Sequence, residues 1–429
     1  MHSIVRRYIQ ALLLLAAPST AFGQPLSAFL QSAQTRNVDG RIAHEAAGSA
    51  RASFDQQWGV LLPSLSANGG YTRNQYAATV DIPNGATTTQ TITIIPQDQL
   101  EATFKAEVPL VDVSKWLKVS AASESSSAAE SKELLTQDQV RRQVVTAYFS
   151  WAGAQGVLDS ARKSLAVAKA QVEQQTARKE AGVATELELV RASAEVERNT
   201  QVVADAEALL ANSRRSLRTL SGLEPGEDTA LPVDDLHPES PLAELEGRAD
   251  GLPSITSAEH DATAASRSWT AAAATLAPTV NAQFTQRFTN ATGFQNQGAV
   301  WNAGVTFSWR ADLGSVQGLR IASASEQTAR LNAEKTRLAA VDQIHSDWQR
   351  VRAAITKVKA SRAQVESTRR AQSLAKERNA AGVATQLDVI QADRDLFSAE
   401  MNDISARLDL ATARASLRLS AGLPLEVTP

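Results

Sequence analysis

The segment AGVATELELV at residues 181–190 returns as AGVATQLDVI at residues 381–390, an offset of 200. The match runs on at that offset without a gap, because Ala206, Leu210, Ala211, Arg214, Ser216, Leu217, Arg218, Gly222 and Leu223 all recur. A register kept over such a distance marks one duplicated structural unit, so the second half must repeat the fold of the first.

Each copy is dominated by one long proline-free stretch. From Asp112 to about Ala181 the only glycines are Gly153 and Gly156, and apolar residues such as Leu158, Leu165, Ala168 and Val172 recur at three- and four-residue spacing. This pattern predicts a single helix about 100 Å long at 1.5 Å per residue. The second copy repeats it from Ser315 to about Ala381, with Leu331, Leu338, Ile344, Val351, Ile355 and Val358. No ordinary globule accommodates such helices.

The recurring motif sits where each long helix must end. Gly182 and Gly382 can adopt the left-handed conformation that closes a helix. Thr185 and Thr385 can cap the next one, with Glu188 and Asp388 three residues on completing a capping box. Residues 181–185 and 381–385 are therefore tight tip turns. The returning helices, Glu186 to Leu220 and Gln386 to Ala421, are only about half as long, roughly 50 Å. Two further helix-like segments, about Leu26 to Gly59 and Pro253 to Leu276, add the missing length.

Between the helices the period changes to two. Leu100, Ala102, Phe104, Ala106, Val108 and Leu110 alternate with polar residues, as do Trp301, Ala303, Val305, Phe307 and Trp309. Leu65, Ala67, Gly69 and Tyr71 are the expected partners in the first copy, and Val280, Ala282, Phe284 and Phe288 in the second. Two hairpins, about 62–110 and 279–309, give four strands with one apolar face each, joined by polar loops near Asn74 to Gln97 and Thr289 to Gly298.

Four strands cannot close a barrel, and lipid does not tolerate open sheet edges. Entry into a membrane would require several chains to share one barrel. The alternatives are a soluble sheet packed on helices and a filamentous coiled coil. Against the first, no other segment offers a matching apolar surface. The second leaves the strands unexplained. Trp58, Trp301 and Trp309, in or beside the strands, suit interfacial girdles.

Composition removes other classes. The formal charge is −3, or −5 without Arg6 and Arg7, which leaves neither a nucleic-acid footprint nor a polybasic membrane patch. Cysteine is absent, which excludes disulfides, thiolate metal sites and a lipidated cysteine. Residues 1–23, with Arg6 and Arg7 before the apolar run Ala11 to Ala17, predict a secretory signal peptide and a mature start at Gln24. Downstream there is no apolar run long enough for a spanning helix. His44, Glu45, Ala46 and Ala47 begin like a zinc-protease helix, but Gly48 stands where the second histidine belongs. His237, His260 and His345 are dispersed, and no phosphate loop or nucleophile elbow occurs, so neither an enzyme nor a cofactor is expected.

The domain plan is a first repeat over 24–220, a linker over 221–252 and a second repeat over 253–423. The stretch Ser221 to Gly251 carries four prolines and nine acids against one arginine, Arg248, and is expected to be solvated.

The signal peptide, the two helix-hairpin-helix halves, the glycine tips and the segment Val108, Pro109, Leu110, Val111, Asp112, Val113, Ser114, Lys115, Trp116 together resemble the TolC-like outer membrane efflux proteins. The resemblance covers essentially the whole mature chain and rests on order and spacing. It implies a mainly α fold with a membrane β-barrel part: a homotrimer whose protomers share a twelve-stranded barrel in the outer membrane of a Gram-negative cell, continued by a coiled-coil α-helical barrel through the periplasm.

The implied function is an exit duct for tripartite efflux or type I secretion. Substrate would come from an inner membrane transporter of the RND, ABC or MFS type, through a periplasmic membrane-fusion adaptor contacting Gly182, Val183, Gly382 and Val383. Asp388 matches the first of the acids that narrow the family's periplasmic aperture. A threefold ring of such carboxylates would raise their pKa values and favour cations. The chain departs at Gln391, which replaces the second acid, and at Ala384 and Asn379, which replace the family's basic and aromatic lock residues. A soluble periplasmic coiled-coil scaffold or adaptor is the competing reading.

Overall fold

The computed structural model describes residues 24–83, 89–226, 231–310 and 312–425, so the signal-peptide expectation at 1–23 lies outside the described residues. The chain runs α1 (Leu26–Arg36), α2 (Val38–Gly59), β1 (Ser64–Arg73), β2 (Ala78–Pro83), β3 (Thr89–Ile95), β4 (Asp98–Val111), α3 (Val113–Glu180), α4 (Glu186–Ser221), α5 (Leu242–Glu246), α6 (Pro253–Ala274), β5 (Thr279–Thr289), β6 (Ala299–Ser308), α7 (Leu313–Ala380) and α8 (Gln386–Ser420). The long helices α3 and α7 have 68 residues each, at the positions the periodicity predicts. Two compact units form. One takes the residues up to Ala43, Leu134–Leu252 and those from Leu338 on; the other takes His44–Glu133 and Pro253–Arg337. Each draws on both sequence repeats, so the units cut across the duplication.

The first unit is helical. Its core cluster is Phe29, Ala33, Val140, Val144, Ala147, Trp151 and Leu217, with Trp151 fully buried and Phe29 edge-on to it at 6.0 Å. Val140, Val144, Ala147 and Trp151 follow one stripe of α3 at helical spacing. On α7, Ile344, Val351 and Val358 are each fully buried at seven-residue intervals, the period that holds a helix seam against its partners. The duplicated positions behave alike: Leu217 and Leu417 are both buried, and Gly222 and Gly422 have φ of 69° and 66°.

Two expectations are corrected in this unit. The segment from Leu26 to Gly59 is two helices, because Asn37 breaks it. The Asn37 amide donates to Leu220 O at 2.9 Å, and its oxygen accepts from Asp39 N at 2.9 Å, so one side chain docks the first helix and starts the second. Nor is the linker a solvated strand of acids. Leu245, Ala249 and Leu252 are buried, Leu231 lies against Gly156 of α3, and Trp348 of α7 donates to Ser240 O at 3.1 Å. Arg414 of α8 collects the linker's Asp234 and Glu239. Two of the acids are thus held by a cation that local composition does not show.

The second unit is built on a four-stranded antiparallel sheet of order β1-β4-β5-β6, with α6 and the neighbouring parts of α2, α3 and α7. The two expected hairpins, β1/β4 and β5/β6, are joined through β4 and β5. The stretch from Asn74 to Gln97, expected as a polar loop, instead contains a second hairpin in which Val80 faces Ile92 and Thr79 faces Thr93. The threonines give the stretch its polar look, yet a threonine's β-branch suits a strand as well as isoleucine's does. Among the described residues, no helix is long and apolar enough to cross a membrane.

Candidate functional site: tip turns and a two-faced sheet

The tip turns close as the sequence predicts. Gly182 and Gly382 have φ of 74° and 76°. In the first tip Gly182 N donates to Lys179 O and Val183 N to Arg178 O, each at 2.9 Å; in the second, Gly382 N donates to Asn379 O at 3.0 Å and Val383 N to Arg378 O at 2.9 Å. These paired bonds satisfy the last carbonyls of α3 and α7 through a left-handed glycine, the Schellman arrangement. A residue with a Cβ would be strained at either glycine.

Both returning helices start on a full capping box. Thr185 Oγ1 accepts from Glu188 N at 3.3 Å while Glu188 accepts from Thr185 N at 2.7 Å. Thr385 and Asp388 repeat this at 3.2 and 2.8 Å. The backbone donation from Thr185 and from Thr385 holds the Glu188 and Asp388 carboxyls below the usual carboxylate range. A lowered folded-state pKa contributes stability above the ordinary value, which is lost as pH falls through and below it. Amide exchange at the two tips is therefore expected to accelerate beyond its intrinsic pH dependence once pH drops below about 4, and Thr185→Ala to weaken its tip by about 1 kcal/mol at neutral pH.

Val183 and Val383 stand exposed at 65% each, with Leu187 and Leu387 beside them at 56% and 50%. The two tips also touch. Arg178 of the first donates to Asn379 Oδ1 of the second at 3.3 Å, and Asn379 donates to Ala384 O at 2.9 Å. Gln391, one turn on from Asp388 along α8, donates to Asp395 at 2.9 Å.

Just past the tips lies a polar seam that sequence reading missed. Gln175 of α3 donates to Gln386 of α8 at 2.8 Å, with both side chains buried. Asp393 of α8 accepts from Gln171 of α3 and, at 2.7 Å, from Gln372 of α7. Glu195 of α4, 6% exposed, takes Arg394 of α8 through Nε at 3.0 Å and Nη2 at 2.6 Å, and Arg198 at 2.8 and 2.5 Å. Burial works to raise the Glu195 pKa, but the two guanidinium groups outweigh it and hold the carboxyl below its usual range. The signal available in the sequence was divergence within the repeat at one position, where Arg394 stands opposite Ala194.

The histidines that look dispersed in sequence each meet an acid: His44 with Glu133 at 3.0 Å, His260 with Glu124 at 2.7 Å, His345 with Glu246 at 3.5 Å and His237 with Asp235 at 2.5 Å. Asp234, Asp235 and His237 approach one another within 4.8 Å. There the Arg414 guanidinium takes Asp234 and the His237 ring, filling the position a cation would want.

In the sheet, register sorts every side chain. Tyr71 faces Leu100, Ala67 faces Phe104, Ala106 faces Phe284 and Phe284 faces Ala303, so these share one face with Leu65, Trp301, Val305 and Phe307. That face is bare: Leu65 is 83% exposed, Phe307 69% and Trp301 65%. Gln286, paired with Phe104 and Trp301, is its one polar interruption in β5, and the sequence reading passed over it. The opposite face carries Ser66, Asn68, Thr103, Lys105, Glu107, Thr285 and Arg287, with Lys105 paired to Glu107 at 2.7 Å and Arg287 to Glu101 at 3.0 Å. Apolar residues outside and paired polar residues inside are the two surfaces of a membrane-barrel wall.

Strands that wall a barrel, carried by paired helical hairpins, define a channel-tunnel of the outer membrane. The family described as outer membrane efflux protein matches residues 29–223 and 250–423. The chain belongs to that family and is an outer membrane efflux channel. Among solved structures, CusC superposes with a TM-score of 0.81 at 19% identity, over 93% of this chain and 92% of that one. The CmeC outer membrane channel of Campylobacter jejuni gives 0.80 at 16% identity, over 95% and 87%. The open state of the MtrE outer membrane channel of Neisseria gonorrhoeae gives 0.77 at 20%, over 93% and 89%. These likenesses concern the fold. No curated protein sequence matches the chain.

Proposed function

We propose that three copies of this chain form the exit duct of a tripartite efflux pump or type I secretion system. The observation that carries the threefold reading is the open sheet. Its apolar face is bare, and β1 and β6 are unpaired edges among the described residues. Each unpaired backbone group at lipid depth costs several kcal/mol, so the edges must join those of other copies. Three sets of four strands close a barrel of ordinary size. A soluble scaffold or adaptor would leave the same face in water, where it would aggregate.

The exposed apolar tips, Val183 and Val383 on the left-handed turns at Gly182 and Gly382, are the surface for a periplasmic adaptor, because small apolar helix ends suit docking of another helical hairpin. The adaptor would hand over substrate from an inner membrane transporter. Asp388 is the acid of the aperture, one from each copy, with Gln391 leaving a single ring where the resemblance implies two.

Purified protein reconstituted into planar bilayers tests the duct: discrete conductance steps from a detergent-dependent trimer are expected, and a soluble monomer overturns the reading. Asp388→Ala tests the ring. It is expected to reduce cation selectivity and divalent block, while Gln391→Ala leaves both unchanged. Unaltered selectivity in Asp388→Ala would remove the ring from the account.

A further inference from the structure

The hairpin found in place of a loop has an unused side. At the end of the sheet away from its helices, the β1/β4 ladder continues past Arg73 and Asp98. Asn74 N donates to Gln97 O at 2.7 Å, the Asn74 side chain donates to Pro96 O at 3.0 Å, and pairing resumes where Ala78 faces Ile95. The extra residues on the first strand throw Tyr76 outward, where it is 76% exposed. Beyond them β2 and β3 are amphipathic. Val80 faces Ile92 and Ile82 faces Gln90 on one side; Thr79 faces Thr93 and Asp81 faces Thr91 on the other, with Thr91 donating to Asp81 at 2.5 Å.

The two long sides of this hairpin differ. Its β3 side packs against the chain's own 3₁₀ turn Gly293–Gln295, in the connection from β5 to β6. Its β2 side has no strand beside it among the described residues, and Val80 and Ile82 remain 38% and 37% exposed. Now β2 follows directly from β1, and the equivalent turn leads directly into β6. A barrel that closes by joining β1 of one copy to β6 of the next sets β2 of the first beside the Gly293–Gln295 turn of the second. That turn carries Phe294, 62% exposed and, among the described residues, without a partner ring.

We propose that β2–β3 is an intersubunit clasp at the outer rim of the channel, its Val80 and Ile82 edge seated on Phe294 of a second copy of this chain. Every hairpin then lies between two such turns, its own on the β3 side and a neighbour's on the β2 side, so the rim is tied in a continuous ring. The clasp rests on the threefold barrel. It adds an apolar contact beyond the strand edges, outside the lipid, and it fixes the ring from the end opposite the helices.

The absence of cysteine makes the test clean. Val80→Cys and Phe294→Cys are placed in separately tagged copies, co-expressed, and oxidised in intact outer membranes. A disulfide-linked dimer carrying both tags is expected, absent from either variant alone and lost when Thr93→Cys, on the far strand and opposite face, replaces Val80→Cys. Asn68→Cys on β1, combined with Asn302→Cys, Gly304→Cys or Thr306→Cys on β6, reports barrel closure independently. If a barrel-edge pair links and the rim pair does not, the clasp is overturned and the barrel stands. If no pair links, the threefold reading fails and takes the clasp with it. A link found only within single chains carrying both rim cysteines also overturns it.

Discussion

Phe284→Arg is expected to abolish the assembled channel, whereas Gln283→Arg, its immediate neighbour on the same strand, leaves it intact. Phe284 lies at the middle of β5 on the apolar face, between Ala106 and Ala303, and stacks on Trp301 at 6.2 Å. An arginine facing lipid at that depth costs about 2–4 kcal/mol, and the three copies of the proposed assembly bear it together, about 6–12 kcal/mol per channel. Gln283 points to the other face, between Glu107 and Gly304, where a new guanidinium finds a carboxylate and water. The alternation of a strand makes neighbouring positions opposite environments, so the pair isolates orientation from any general intolerance of charge. The measurement is the yield of heat-modifiable trimer in outer membrane fractions, followed by conductance. Equal losses in both variants would mean that the face identified as lipid-facing is not.

The parts of this fold legible in sequence are those whose cause is local. The tips were readable because glycine, threonine and the acid three residues later act within one turn, and the duplication wrote them twice. The sheet faces were readable because period two survives in Leu100 to Leu110 without reference to any other strand. What escaped depends on partners far along the chain. Nothing near Asn37 shows that Leu220 O, 183 residues away, will hold its amide and break the helix there. Arg394 and Glu195 are likewise 199 residues apart, and each alone is an ordinary surface charge on an amphipathic helix. The β2–β3 hairpin was lost for a different reason: a polar-apolar count treats threonine as loop material, although Thr79, Thr91 and Thr93 are strand formers with isoleucines between them. The two compact units also have no counterpart in the repeat, because α3 and α7 each run from one unit into the other.

Arg214 and Arg414 occupy equivalent positions in the two repeats, and both reach the segments that follow the first return helix. Arg214 donates to Pro225 O at 3.1 Å and Gly226 O at 2.9 Å, two neutral acceptors. Arg414, 9% exposed, instead holds Asp234 through Nε at 2.7 Å and Nη2 at 3.0 Å, Glu239 through Nη1, and His237 O at 2.7 Å. Arg414→Met keeps the apolar stem of the side chain and removes the guanidinium, which strands two mostly buried carboxylates without a cation. Removing one partner of such a network costs about 3–5 kcal/mol. Arg214→Met removes only donors to carbonyls and is expected to cost less, about 1–3 kcal/mol. The consequence should be local before it is global: the linker between Leu231 and Pro241 detaches from α8 and becomes the preferred site of limited proteolysis in Arg414→Met, and not in Arg214→Met. Adding Asp234→Asn and Glu239→Gln to Arg414→Met should restore part of the protection, since the stranded charges, rather than the lost contacts, carry most of the penalty. If Arg414→Met alone leaves the linker as protected as in the parent chain, the arginine is not what holds the acidic segment down.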